Sequence, residues 1–492
     1  MEQINYPSLY QVNTRVMLNE LSQFLGRRAT LDDIPDSELD LWASKGFNWI
    51  WMLSVWQTGI VGQRVSRNYP QWQAEFRHTL TDLQEADIEG SGFAITAYTV
   101  HQNLGGDAAL ARLRQRLKYR NLKLMLDFVP NHTGIDHFWV RENPSYYVQG
   151  NEELLYREPQ NYIKLTRAGG DIIFAHGRDP YFAGWPDTLQ LNYGNPDCQE
   201  AQIAEIVRIA GQCDGIRCDM AMLVLPEIFK RTWGIDCPPF WERAIESAQR
   251  KNPGFKFMAE VYWDMEWALQ QLGFEYTYDK RLYDRLHEGY AKPVREHLYA
   301  GVDYQKHMVR FLENHDEARA AYNFTPEKHE AAAILTYFSP GMRFFHQGQF
   351  EGKKMRISPH LVRGPKERTD DRLFTFYQRI LDFLKRPVFT QGNWKLLQNT
   401  PAWEGNQSHD SYISYLWEGN HDEKKLVVVN FAGQSSQCYV HLPFEGLENH
   451  QWRLNDLFSG VEFSYSGSDI QNKGLYFDEG PWKYYIFRLE QI

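Results

Sequence analysis

Through about residue 390 the chain alternates short apolar runs with segments of helical period, and this alternation restricts its fold more than any other feature. Eight runs have strand character: 10–18, 47–56, 122–130, 214–221, 256–261, 275–284, 307–314 and 342–348. Helical segments at 35–45, 109–120, 199–212, 239–251, 264–272, 291–307, 325–338 and 372–386 separate or follow them. Buried parallel strands need both faces covered, and eight of them close into a barrel. An open doubly wound sheet would carry a glycine-rich phosphate loop after an early strand, and the sequence has none. Two connections are long, 57–106 and 133–189, and both follow strands. They are therefore expected to overhang the barrel mouth where strand C-termini gather.

Beyond residue 390 the helical signal stops. Runs at 410–417, 424–431, 436–442, 452–458 and 483–491 read as strands joined by Gly, Asn and Asp turns. The expected α/β architecture is a (β/α)8 TIM barrel over 1–132 and 190–390. A small lid-like domain, 133–189, is inserted after strand three, and an antiparallel β-sandwich occupies 391–492.

Three acidic residues stand at the ends of apolar runs that read as three consecutive barrel strands. They are Asp219 in DGIRCDMA, Glu260 in KFMAEVYW and Asp316 in FLENHDEAR. Carboxylates brought together from distant strand ends are what glycosidic bond cleavage needs. One protonates the leaving oxygen while another attacks or assists on the opposite face of the sugar. Arg217 lies two residues before Asp219, so strand alternation aims both side chains the same way. A guanidinium fixed there keeps Asp219 ionised and oriented.

Composition excludes other classes. With a net charge of −10 the chain lacks the basic footprint of a nucleic-acid binder. No polybasic anchor or run of about 20 apolar residues speaks for a membrane. The five cysteines are odd in number and lack metal-ligand spacing, which fits reduced cytosolic thiols. The start, MEQINYPSLY, has no Sec-type pattern, so a cytoplasmic location is expected. The 16 Trp and 28 Tyr suit large cores and sugar-stacking platforms alike.

Four motifs carry a resemblance. LMLDFVPNH supplies Asp127, Asn131 and His132; GIRCD supplies Arg217 and Asp219; MAEVYW supplies Glu260; ENHD supplies Asn314, His315 and Asp316. In this order, and over nearly its whole length, the chain resembles the α-amylase family of retaining glycoside hydrolases, family 13. The resemblance implies that Asp219 is the nucleophile that forms a covalent glycosyl-enzyme. It makes Glu260 the general acid and then base, and Asp316 the third carboxylate gripping sugar hydroxyls. The substrate-site group it implies comprises Asp127, which braces Arg217, together with Arg217 itself, His132, His315, Phe93 and Arg319. His132 and His315 would hydrogen-bond the sugar. Phe93 falls near a sugar-stacking tyrosine of the family or is a core ring. Arg319 lines the entrance or pairs with Glu317 or Asp316. Trp185 lies in GWPDTLQLNYGNP, a segment that resembles the one preceding strand four.

The metal question turns on Asn131, a turn residue or a calcium ligand. Many members carry a Lys-His pair after the nucleophile, where this chain has Met220-Ala221-Met222-Leu223. That departure argues against the usual calcium site and against endo-action on long polymers, and the chemistry requires no cofactor. The expected substrate is an α-glucan oligosaccharide or a small α-glucoside. The same triad also runs transfer, so a glucosyltransferase or trehalose-synthase-like isomerase is the alternative. A non-catalytic amylase-like module would ordinarily have lost triad members. A metal-dependent barrel hydrolase would want His-x-His at the first strand, where Val12-Asn13-Thr14 stand.

Overall fold

In the computed structural model, which describes residues 4–167 and 170–492, eight parallel strands close a barrel. They are β1 (Ser8–Asn13), β2 (Trp49–Leu53), β3 (Lys123–Phe128), β4 (Gly215–Cys218), β5 (Lys256–Ala259), β6 (Tyr276–Tyr278), β7 (Met308–Arg310) and β8 (Met342–His346). Each strand pairs with its sequence neighbour, and β8 closes onto β1 with Ser8 beside Arg343. Almost every strand residue is buried, as expected of strands covered on both faces. Burying a ring such as Trp51 or Tyr278 completely contributes roughly 2–3 kcal/mol each.

All eight strands are shorter than the runs that predict them, and at two of them a helix cap sets the end. The run 10–18 stops at Asn13, whose side chain accepts from Val16 N and starts a helix, Thr14–Leu25. The run 275–284 stops at Tyr278, because Asp279 accepts from Leu282 N at 3.0 Å and caps Lys280–Glu288. Both are N-caps at which a polar side chain satisfies an orphan amide, and the cap overrides the alternating pattern. The three acids also do not follow consecutive strands. Asp219 and Glu260 follow β4 and β5, but β6 intervenes, so Asp316 stands after β7.

The long connections are structured. The first contains helices α1 (Ile60–Asn68) and α2 (Pro70–Thr79) and a two-stranded ladder, Trp56–Thr58 with Ile95–Val100. The second leaves and returns on paired strands, His132–Gly134 against Thr188–Gln190, and carries the hairpin Tyr162–Arg167 with Gly170–Ala175.

The C-terminal strands form a six-stranded antiparallel sheet and a smaller three-stranded sheet. Leu416, Leu426, Val428, Val440, Leu475 and Phe487 fill the space between them. The opposite face of the larger sheet packs on the barrel helix Pro326–Tyr337: Tyr415 Oη donates to Ile334 O at 3.2 Å, and Trp417 Nε1 donates to Phe338 O at 2.7 Å. Among the described residues no helix is long and apolar enough to cross a membrane.

Candidate active site

Arg217, on β4, is the centre of the site. It is 0% exposed. Its Nη1 lies 2.6 Å from Asp219 Oδ1, and its Nη2 lies 2.7 Å from Glu260 Oε2 and 3.9 Å from Asp316 Oδ2. The rings of Trp51, Phe93 and Tyr278 surround the guanidinium at 5.4–5.8 Å. One cation buried among aromatic faces thus collects three carboxylates from three strand ends. Planarity and a fixed fork of donors suit arginine, not lysine, to that task.

Three acids around one cation cannot all ionise cheaply. Burial pushes the Glu260 carboxyl up to about 8; Arg217 opposes this, while Asp219 and Asp316 reinforce it. Glu260 Oε2 accepts from Met220 N at 2.8 Å and Oε1 accepts from Tyr262 Oη at 2.9 Å. The Met220 amide is aimed there by a left-handed backbone, φ 43°, rare for a non-glycine residue and typical of a functional turn. Asp316 has a side chain 40% exposed and reaches into the cleft.

Two histidines flank the acids. Gln11 Nε2 donates to His315 Nδ1 at 2.9 Å, so the proton sits on Nε2, 3.0 Å from Asp316 Oδ2 but poorly aligned with it. Phe93 stacks on this imidazole at 5.4 Å and lines the cleft. It is a wall ring, not a core phenylalanine. His132 lies 5.1 Å from the Trp185 ring, and burial pushes its pKa down to about 4. Both imidazoles are therefore neutral donors at neutral pH.

These groups open on a cleft of about 330 Å³. Its far wall joins the connection after β2 to the segment after β8. Arg356 Nη2 lies 2.5 Å from Glu75 Oε1, and Trp72 packs on His360 at 4.4 Å. Behind them Arg363 grips Asp87 with two bonds, and Ile88 bridges Leu361. In the eight-strand ring, β2 and β8 flank β1, which is opposite β5. The wall therefore faces Glu260 across the barrel mouth.

The model of the alpha amylase catalytic domain matches residues 78–375. The chain belongs to the alpha-amylase family. Among curated family members, alpha-amylase 3 of Dictyoglomus thermophilum is 22% identical over 311 residues, 57% of each chain. Alpha-amylase MalA of Haloarcula japonica is 23% identical over 56% of this chain and 39% of its own. The match thus spans little more than half of one relative and less than half of the other. Among solved structures, the maltogenic alpha-amylase AmyB of Thermotoga neapolitana superposes with a TM-score of 0.71 at 18% identity, covering all of both chains. The alpha-amylase of Geobacillus thermoleovorans, complexed with acarbose, gives 0.65 at 17% over 100% of this chain and 99% of its own. At such identities the likeness is one of fold.

Three residues of the expected alpha-amylase site stand elsewhere. Asp127 is wholly buried and away from the cleft; its oxygens accept from Trp51 Nε1 and Ser54 N at 3.0 and 2.8 Å. It bears on Arg217 by charge and through the Trp51 ring, with no hydrogen bond to it. Arg319 is also buried and pairs with Glu313, 2.6 Å, instead of Glu317 or Asp316, because its guanidinium is drawn inward by the Gln347 and Met355 carbonyls. Asn131 does not fit calcium: Gln190 Nε2 donates to its Oδ1, its carbonyl and Leu191 O at 2.9–3.1 Å. Amide hydrogens point where a cation would have to sit, and among the described residues no acidic or His/Cys cluster offers another site. Ala221, Met222 and Leu223 are buried core. Sequence reasoning missed Trp72, Glu75, Arg356 and His360, which line the cleft from segments without a motif, and Asp187, which lies inside the segment 184–196 but is given no role by it.

Proposed function

We propose that this alpha-amylase-family chain is a retaining glycoside hydrolase that cleaves α-glucosidic bonds in oligosaccharides or small α-glucosides. The observation that carries this reading is the ion pairing of both Asp219 and Glu260 with one shared, buried cation, Arg217. Arg217 Nη1 holds Asp219 Oδ1 at 2.6 Å and so orients the carboxylate for attack on the anomeric carbon. Glu260, its pKa raised, enters as the acid. Its proton passes to the glycosidic oxygen as the C–O bond breaks and Asp219 forms an ester with C1. Glu260, now a carboxylate, takes a proton from water, which attacks C1 and frees the sugar with its α-configuration retained. Asp316 and the Nε2–H groups of His315 and His132 hold hydroxyls. No metal is assigned a step.

The wall built on Glu75 and Arg356 supports short substrates. It stands opposite the general acid, and hence at the end of the cleft away from the leaving group. A cleft closed there accepts the end of a chain, and a volume near 330 Å³ suits a small ligand.

The test is proton NMR of products from maltose, malto-oligosaccharides, isomaltose, trehalose, sucrose and α-glucosyl fluoride. The wild-type chain is expected to release an α-configured product from at least one, and Glu260→Gln to be slower by about 10³-fold on unactivated substrates. The same spectra separate free glucose from a transferred glucosyl unit. A β-configured first product, or inertness toward α-glucosyl fluoride, overturns the reading.

A further inference from the structure

Asp187 is an anomaly in this cleft. It is 2% exposed, and its Oδ2 has no hydrogen-bond partner among the described residues. Among the described residues no cationic side chain compensates it, and burial pushes its carboxyl up to about 7. Buried carboxylates are ordinarily paired or hydrogen-bonded, since the uncompensated group destabilises the fold. Asp187 nevertheless lines the same cleft as Asp219, Glu260 and Asp316.

The backbone holds Asp187 there. Thr188 N and Oγ1 both donate to Trp185 O, at 3.1 and 2.8 Å, which closes a turn around Asp187. Thr188 is itself fixed in the ladder opposite Gly134. On its outer side Asp187 meets α1, where a Cβ at Gly62 would lie 3.9 Å from Asp187 Cβ. A carboxylate so anchored cannot swing to bulk water, and α1 belongs to the β2 connection, on the closed side of the cleft. Nearby, Trp185 packs on His132.

We propose that Asp187 is a substrate-binding residue whose carboxyl receives a hydroxyl of the glycone remote from the bond that is cleaved. This deepens, and rests on, the glycosidase reading of the same cleft. The selected substrate class is a sugar with an intact hydroxyl at that remote position. The unpaired acid is the partner kept for it.

The test compares wild type, Asp187→Asn and Asp187→Ala on α-glucosyl fluoride and its 3-, 4- and 6-deoxy analogues. Asp187→Ala is expected to lose roughly 10- to 100-fold in kcat/KM on the parent sugar, the range of one hydrogen bond to a charged group. One deoxy analogue is expected to be poor with the wild type and no worse with Asp187→Ala, while the other two keep the full penalty. Neither variant is expected to have a lower Tm, because Oδ2 has no partner among the described residues and the carboxyl's backbone bond is only to its own amide. A uniform penalty on every sugar, the absence of a penalty, or a lower Tm overturns the proposal in favour of a structural role. Acarbose binding by calorimetry separates the two readings. A chain inert to α-glucosyl fluoride that still binds acarbose, and binds it at least tenfold more weakly as Asp187→Ala, loses the hydrolase reading and keeps Asp187 as a binding group. Acarbose bound equally by both, or by neither, overturns the role of Asp187.

Discussion

Arg217 does at the scale of one residue what three separate cations would otherwise have to do. Because it is shared, the proton on the site is governed by Glu260, and the pH dependence follows from it. A general acid must be protonated, and a raised pKa keeps it so through neutrality. The kcat/KM profile is therefore expected to hold to about pH 8 and then to fall tenfold per pH unit. Tyr262 Oη donates to the Glu260 carboxyl, which favours the ionised form. Tyr262→Phe is expected to move the alkaline limb upward by roughly one pH unit, and an unmoved limb would deny Tyr262 that influence. Asp187 gives a second pH effect, on stability. Its folded pKa of about 7 lies above the ordinary 3.8, so its contribution is fully present below about pH 4 and is lost as pH rises through 7. Asp187→Asn removes that loss. Its gain in unfolding free energy over wild type is expected to grow between pH 5 and pH 8 by on the order of 2–4 kcal/mol. Denaturant titrations at the two pH values measure it. The acids and Arg217 were legible in the sequence because they sit at fixed offsets from strand ends. Asp187 and Gln190 were not, since what distinguishes them is the partner they lack or replace, and that exists only in three dimensions.

At the scale of elements, the strands and long helices were readable from period alone, but their ends were decided by caps at Asn13 and Asp279, which alternation does not report. The helices α1 and α2 were missed for a different reason. They are short, and packing partners of both lie in the segment after β8, almost 300 residues away in sequence: Ser66 meets His360, and Phe76 clusters with Leu361. Glu75 and Arg356 form a contact of that union that lines the cleft. Each is about one-third exposed, so the pair contributes at most about 1 kcal/mol to stability. Its larger effect is expected to be steric. Glu75→Ala combined with Arg356→Ala should leave the unfolding midpoint within a few degrees of wild type, because Arg363, Asp87 and the Ile88–Leu361 bridge remain. It should also raise the ratio of kcat/KM on maltohexaose to that on maltose by about tenfold, as the closed end opens to longer chains. Chromatography of timed digests measures both the ratio and the products. An unchanged ratio would mean that chain length is limited elsewhere in the cleft.

At the scale of the molecule, the sandwich was legible as a change of pattern, but its bond to the barrel was not. Tyr415 and Trp417 look like any alternating strand residues, yet they bury themselves in the barrel's own core together with Phe338 and Phe389. Arg343 is the polar counterpart of that junction. It lies on β8 with no carboxylate partner among the described residues, and burial pushes its pKa down to about 9. Its guanidinium donates to Tyr337 O at 2.9 Å and to Tyr6 O and Phe389 O at 2.5 Å. One side chain therefore ties the entry to β1, the end of a barrel helix and the last turn before the sandwich. Arg343→Met fills similar space but strands three buried carbonyls, each costing about 1–3 kcal/mol when left unpaired. Partial rescue by neighbouring donors or water brings the expected loss to about 3–5 kcal/mol. Because the core runs unbroken across the junction, that loss is expected to lower a single calorimetric transition that includes both parts. Two separated transitions, with only one of them moved by the substitution, would show that barrel and sandwich fold independently and that the shared core couples them weakly.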